Sequence, residues 1–147
     1  MTVDHPTHPV DVLLVEDQPS DAELALRALK TLHLDRHVNV VHDGAQALDF
    51  LSTCVNDPNR DLPRLILLDL KLPKVNGLEV LRQLKSCEHT RHIPVIALSS
   101  SQEHCDIKES YALGVNSYVV KPVDFDQFTE TVQRIGSYWL KMNQPPE

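Results

Sequence analysis

The sequence of 147 residues predicts an α/β fold: a doubly wound, five-stranded parallel sheet with helices on both faces. Two observations carry this. Short apolar runs alternate with stretches of helical periodicity five times along the chain. The runs are also apolar throughout, without in-out alternation, as in strands covered on both faces.

The first run is Val12-Leu13-Leu14-Val15. Pro19-Ser20-Asp21-Ala22-Glu23 then opens a helix, with Ser20 and Glu23 in capping-box spacing. Ala22, Ala25, Leu26, Leu29 and Leu32 follow at helical intervals. Val38, Val40 and Val41 form the second strand, closed by the turn pair Asp43-Gly44, and a helix over about 45–53 carries Leu48 and Leu51. Residues 55–63 hold two prolines, two asparagines and two aspartates, the composition of a surface loop. The third run is Leu65-Ile66-Leu67-Leu68. After a loop over 70–76, Gly77 leads into a helix with Leu78, Leu81 and Leu84. Val95-Ile96-Ala97-Leu98 precedes a helix over roughly 103–113, with Gly114 as its C-cap. Tyr118-Val119-Val120 is the fifth run, and Phe128, Val132, Ile135 and Trp139 mark one face of the last helix.

This length suits one domain with a real core. Residues 1–9, with two prolines and little apolar content, are expected to be a flexible arm before a domain over 10–137. Residues 138–147 form a C-terminal extension, aromatic and then proline-rich. The net charge of -7 argues against nucleic-acid binding, which needs a basic surface to displace counterions. No apolar stretch approaches the length of a membrane span, and the N-terminus lacks the charge and hydropathy of a signal peptide. A cytoplasmic protein without membrane partners is expected. Cys54, Cys87 and Cys105 show no CxxC spacing and read as reduced thiols. His89 and His92 lack accompanying ligands and read as solvated loop residues, not zinc ligands.

The ends of the runs carry the chemistry. The first ends on Glu16-Asp17, the third on Asp69, the fourth on Ser99 and the fifth on Lys121. In open sheets of this kind ligands bind beyond the carboxyl ends of the strands, where strand order reverses. In the flavodoxin-like order 2-1-3-4-5, strands one and three flank that point. Carboxylates about 5 Å apart repel by roughly 3 kcal/mol at an effective dielectric near 20, so the cluster needs compensation. A hard divalent cation such as Mg²⁺ supplies it and also takes phosphate oxygens. Lys121 as a structural counter-charge is the alternative.

Together the segments Val15-Glu16-Asp17, Leu68-Asp69-Leu70-Lys71-Leu72-Pro73, Leu98-Ser99 and Tyr118-Val119-Val120-Lys121-Pro122, with Gly77, resemble the receiver domain of bacterial two-component response regulators. The resemblance covers roughly residues 10–135. It implies that Asp69 accepts a phosphoryl group from a phosphohistidine on a sensor histidine kinase. It implies a Mg²⁺ ion held by Glu16, Asp17, Asp69 and the Lys71 backbone carbonyl. Lys121 would pair with the phosphate before a cis bond to Pro122, Ser99 would hydrogen-bond the modified aspartate, and Tyr118 would turn inward as Ser99 moves. Glu16 stands where many receivers have aspartate.

The long loop over 55–63 and the C-terminal extension resemble the small stand-alone regulators that partner phytochrome-type histidine kinases. Output is then expected through protein contacts. Tyr138, Trp139, Leu140 and Met142 crowd one helix end, and an exposed apolar cluster marks an interaction surface, so a homodimer is expected there. Alternatively the helix end folds back and Trp139 plugs the domain's lower edge. Other readings keep part of this pattern. An aspartate-nucleophile phosphatase would need a second aspartate two residues after the first, where Lys71 stands. A non-phosphorylated scaffold would have no use for the acid pair and Lys121. Nucleotide-binding glycine motifs are absent.

Overall fold

The computed structural model describes residues 11–33 and 37–146. The expected arm over 1–9 therefore lies outside the described residues, as does Glu147.

Five parallel strands, β1 (Val12–Val15), β2 (Val38–Val41), β3 (Leu65–Leu68), β4 (Val95–Ser99) and β5 (Ser117–Val120), form one sheet in the order β2-β1-β3-β4-β5. Five helices alternate with them: α1 (Pro19–Thr31), α2 (Gly44–Asn56), α3 (Gly77–Ser86), α4 (His104–Ala112) and α5 (Phe125–Ser137). Successive strand residues face opposite sides of a sheet. Leu13, Val15, Ile66 and Leu68 accordingly join α2 and α3 residues in one core, while Val12, Leu14, Leu65 and Leu67 join α1 and α5 residues in another. Each buried leucine or valine contributes about 1.5–3 kcal/mol, which explains runs with no polar position. The edge strands β2 and β5 are only partly buried, apart from Val41.

Several local expectations shift. α1 starts at Pro19 with Gln18 as N-cap and no side-chain cap, so Ser20 and Glu23 make no capping box. Proline's fixed φ suits the first helical position, which moves the N-cap two residues earlier than Ser20. Asp43 is not a turn residue but the N-cap of α2, accepting the Gln46 N–H at 2.8 Å. α2 runs to Asn56, which shortens the loop before β3. Gly114 follows the end of α4 at φ 101°, the left-handed conformation a C-cap glycine supplies.

α5 continues into a single π-helical turn, Tyr138–Met142, closed by the Asn143 N–H on the Tyr138 carbonyl at 2.7 Å. The wider turn rotates Leu140 inward, where it is buried with α1 and α5 residues, and Trp139 packs against the same core. Arg64 Nη2 donates to the Leu140 carbonyl at 2.9 Å, fastening the turn to the start of β3. This corrects the expected four-residue interface at Leu140, which is buried in the chain's own core; Trp139 packs partly against that core, and Tyr138 and Met142 are exposed.

Candidate functional site

Parallel register decides what meets at the carboxyl edge of the sheet. Val15 pairs with Leu68, so the residues after them, Glu16 and Asp69, emerge side by side. The Asp69 N–H donates to the Val15 carbonyl and the Glu16 N–H to the Val41 carbonyl, both at 3.0 Å, which fixes both backbones. Ser99 pairs with Val120, and the Lys121 N–H donates to the Ser99 carbonyl at 2.8 Å. Gly77 secures Asp69 from the other side. A Cβ there would lie 2.5 Å from Leu70 Cα and 2.6 Å from the Asp69 carbonyl oxygen, so only glycine lets α3 begin against this backbone.

The structure brings Glu16, Asp17 and Asp69 together, with one carboxylate oxygen from each inside a 4.8 Å span. Lys121 Nζ contacts Glu16 Oε1 at 2.8 Å, Asp21 Oδ2 at 2.9 Å and Asp69 Oδ2 at 3.3 Å. Asp69 Oδ1 accepts the Lys71 N–H at 3.1 Å, and Glu16 Oε2 accepts the Gln18 N–H at 3.1 Å. Glu16, Asp69 and the Lys121 side chain are all almost fully buried. The Lys121–Pro122 bond is trans, which corrects the expected cis bond. Trans is the favoured isomer of an X–Pro bond by about 0.5–1 kcal/mol, and the ammonium reaches all three carboxylates from it.

Burial pushes the Glu16 carboxyl up to about 7, with the Asp69 charge adding and the Lys121 ammonium and Gln18 N–H opposing. Burial pulls Lys121 the other way, but hydrogen bonds to Glu16 and Asp21 and the charge of Asp69 outweigh it and raise its pKa. Lys121 therefore keeps its proton throughout the physiological range, and Glu16 is the carboxylate that most readily gains one. One ammonium does not balance this many carboxylates. Hard oxygen donors at this spacing fit a divalent cation such as Mg²⁺ or Mn²⁺.

Beside the acids lies a cleft of about 440 Å³ lined by Asp17, Lys71, Ser99, Ser101 and Asp106 among others. Ser99 is fully buried, and its hydroxyl oxygen accepts the Ser101 N–H at 3.2 Å, leaving its own proton to donate. The Tyr118 hydroxyl donates to the Ser101 carbonyl at 2.9 Å, and the Ser101 hydroxyl donates to Asp106 in α4. Ser101 thus ties Ser99, Tyr118 and α4 together.

Sequence reasoning missed Asp21, Ser101 and Asp106. Asp21 lies in the first turn of α1, which begins directly after Glu16 and Asp17 and so keeps it at the carboxyl edge of the sheet. In the sequence it read only as part of the stretch that opens the first helix. Ser101 and Asp106 carry no signal in the sequence beyond their types.

The fold and site define a class. A family model described as the response regulator receiver domain matches residues 12–133, and the chain belongs to that family. A curated relative, the "Probable methanogenesis regulatory protein FilR2" of Methanothrix harundinacea, is 43% identical over 94% of this chain and 88% of its own. The phosphorylated cyanobacterial phytochrome response regulator RcpA is 37% identical, with TM-score 0.87 over 95% of this chain and 100% of its own. The Mn²⁺-bound form of response regulator Rcp1 is 38% identical, with TM-score 0.86 over the same shares; the curated Rcp1 is from Synechocystis. Receiver domains of this family are signalling domains rather than typical enzymes.

Proposed function

We propose that this protein accepts a phosphoryl group on Asp69 from a partner histidine kinase, in a Mg²⁺-dependent reaction, and signals through an altered protein-interaction surface. The observation that carries this reading is Asp69 itself. It is a buried carboxylate held at one oxygen by the Lys71 N–H and at the other by Lys121, beside two further acids at metal-ligand spacing. An Asp69 oxygen attacks phosphorus as the donor's P–N bond breaks, and the bonding pair returns to an imidazole whose other nitrogen is protonated. Lys121 holds the incoming oxygens by charge, and the burial of Asp69 and Glu16 beneath the cleft leaves that charge poorly screened. Glu16, Asp17, Asp69 and the Lys71 carbonyl would hold the Mg²⁺, whose chemistry is to neutralise phosphoryl oxygens.

The Ser99 proton is available to donate to the phosphoryl group. That turn would disturb Ser101, and through it Tyr118 and α4, which is the proposed route to the surface. The similarity to a phytochrome response regulator supports a phytochrome-type kinase as partner. The exposed apolar side chains of Tyr138 and Met142 support a homodimer through the tail. Incubation with Mg²⁺ and acetyl phosphate should add one phosphoryl group by intact mass. The adduct should vanish in Asp69→Asn and in EDTA. A wild-type chain that never gains this mass would overturn the proposal.

A further inference from the structure

Lys121 has three N–H bonds, and the structure gives each a carboxylate: Glu16, Asp21 and Asp69. Two of these acids belong to the metal cluster. Asp21 does not. It projects from the first turn of α1, about 29% exposed, and its contact with Nζ at 2.9 Å is shorter than that of Asp69 at 3.3 Å. We infer that Asp21 is a positioning residue: it anchors the Lys121 ammonium so that the donor now on Asp69 is presented to the phosphoryl group.

The inference rests on the phosphoacceptor reading and follows from competition for donors. A cation bound by Glu16 and Asp69 draws on the same oxygens that Lys121 contacts, and like charges would push the ammonium away from them. Asp21 offers an acceptor outside that cluster and on a separate element, so its hold on Nζ does not depend on the metal ligands. The Asp69–Nζ contact is the longest of the three and the easiest to exchange for a phosphoryl oxygen. With Asp21 in place the ammonium keeps its position through that exchange. Without it, the four-carbon stem of the lysine would have to be ordered during the reaction itself.

The group transfer makes the requirement concrete. An Asp69 oxygen–phosphorus bond forms as the donor's bridging P–O bond breaks, and acetate leaves with the electron pair when acetyl phosphate is the donor. Charge builds on the equatorial phosphoryl oxygens, where an ammonium displaced by an ångström loses much of its effect.

The experiment measures the rate of Asp69 phosphorylation by acetyl phosphate at saturating Mg²⁺, using intact mass, in wild type and in Asp21→Asn, Asp21→Glu, Asp21→Ala and Asp21→Ser. The asparagine and glutamate keep an acceptor within reach and should stay within about threefold of wild type. Alanine and serine do not reach Nζ and should be slower by about tenfold, in maximal rate rather than in the donor concentration at half saturation. The Mg²⁺-induced rise in melting temperature should persist in all four. Rescue by asparagine separates positioning from charge: if Asp21 merely competed for the ammonium, asparagine and alanine would both exceed wild type. That result, or equal rates in all folded variants, overturns the inference. Serine keeps a polar residue in the first helical turn, so the reading survives an alanine variant that fails to fold. An unmodified wild-type chain would instead refute the phosphoacceptor function.

Discussion

Glu16 is the residue where the cost of this site is concentrated. Its carboxyl lies near 7 in the folded chain against an ordinary value of 4.5, chiefly through burial. Between those values the folded chain keeps a proton that the unfolded chain has released. Without metal, stability therefore falls as pH rises through that window, and the loss is complete above about 7. The share due to Glu16 should be about 3 kcal/mol, read as the difference between wild type and Glu16→Gln in EDTA by denaturant unfolding at several pH values. The gap should open toward high pH in favour of the glutamine. A gap that is constant from pH 4.5 to 8 would mean that Glu16 is not strained by burial. The same residue explains why a long acid is accommodated here: Oε1 reaches Lys121 while Oε2 closes on the Gln18 N–H.

At the scale of elements, legibility followed burial. β1, β3 and β4 are covered on both faces, so every position had to be apolar and each run ended visibly where the sheet stops. Glu16, Asp17, Asp69 and Ser99 stand at those ends and were legible for that reason. Lys121 follows the partly buried edge strand β5 and was legible from the apolar run Tyr118-Val119-Val120 before it. Helix starts were less so, because a proline at the first position and a serine at the second both suit an N-terminus. Least legible was the end of α5. Helical periodicity assumes 3.6 residues per turn, and the π turn breaks it just where the apolar residues crowd. What remains outside is Tyr138, set edge-to-face on Trp139 with centroids 5.0 Å apart, and Met142. If these two form the contact between copies, replacing both with serine should shift the chain from dimer to monomer in sedimentation, and its melting temperature should match that of wild type diluted to the monomer. Leu140→Ala should do the reverse, costing roughly 2–5 kcal/mol of stability as a buried truncation. A monomeric wild type at every concentration tested would remove the dimer from the proposal.

Across the whole molecule, folding creates a site that does not exist in the unfolded chain. Glu16 and Asp17 follow β1, while Asp69 follows β3, and only the pairing of those strands brings their oxygens within one 4.8 Å span. The overall charge of -7 adds repulsion that compaction makes worse. A divalent cation should bind the native state and leave the unfolded chain nearly untouched, so it must raise stability by mass action. The gain should reach about 2.7 kcal/mol at a hundred times the dissociation constant. Asp17 is the residue with which to test this. It is the cluster's partly exposed member, and Lys121 is held by the other acids instead. Asp17→Asn should therefore keep the fold, melt slightly above wild type in EDTA because one repulsion is gone, and lose most of its response to millimolar Mg²⁺. A wild-type melting temperature indifferent to Mg²⁺ would point instead to a scaffold in which Lys121 alone balances the acids. Equal Mg²⁺ responses in wild type and Asp17→Asn would place the ion elsewhere.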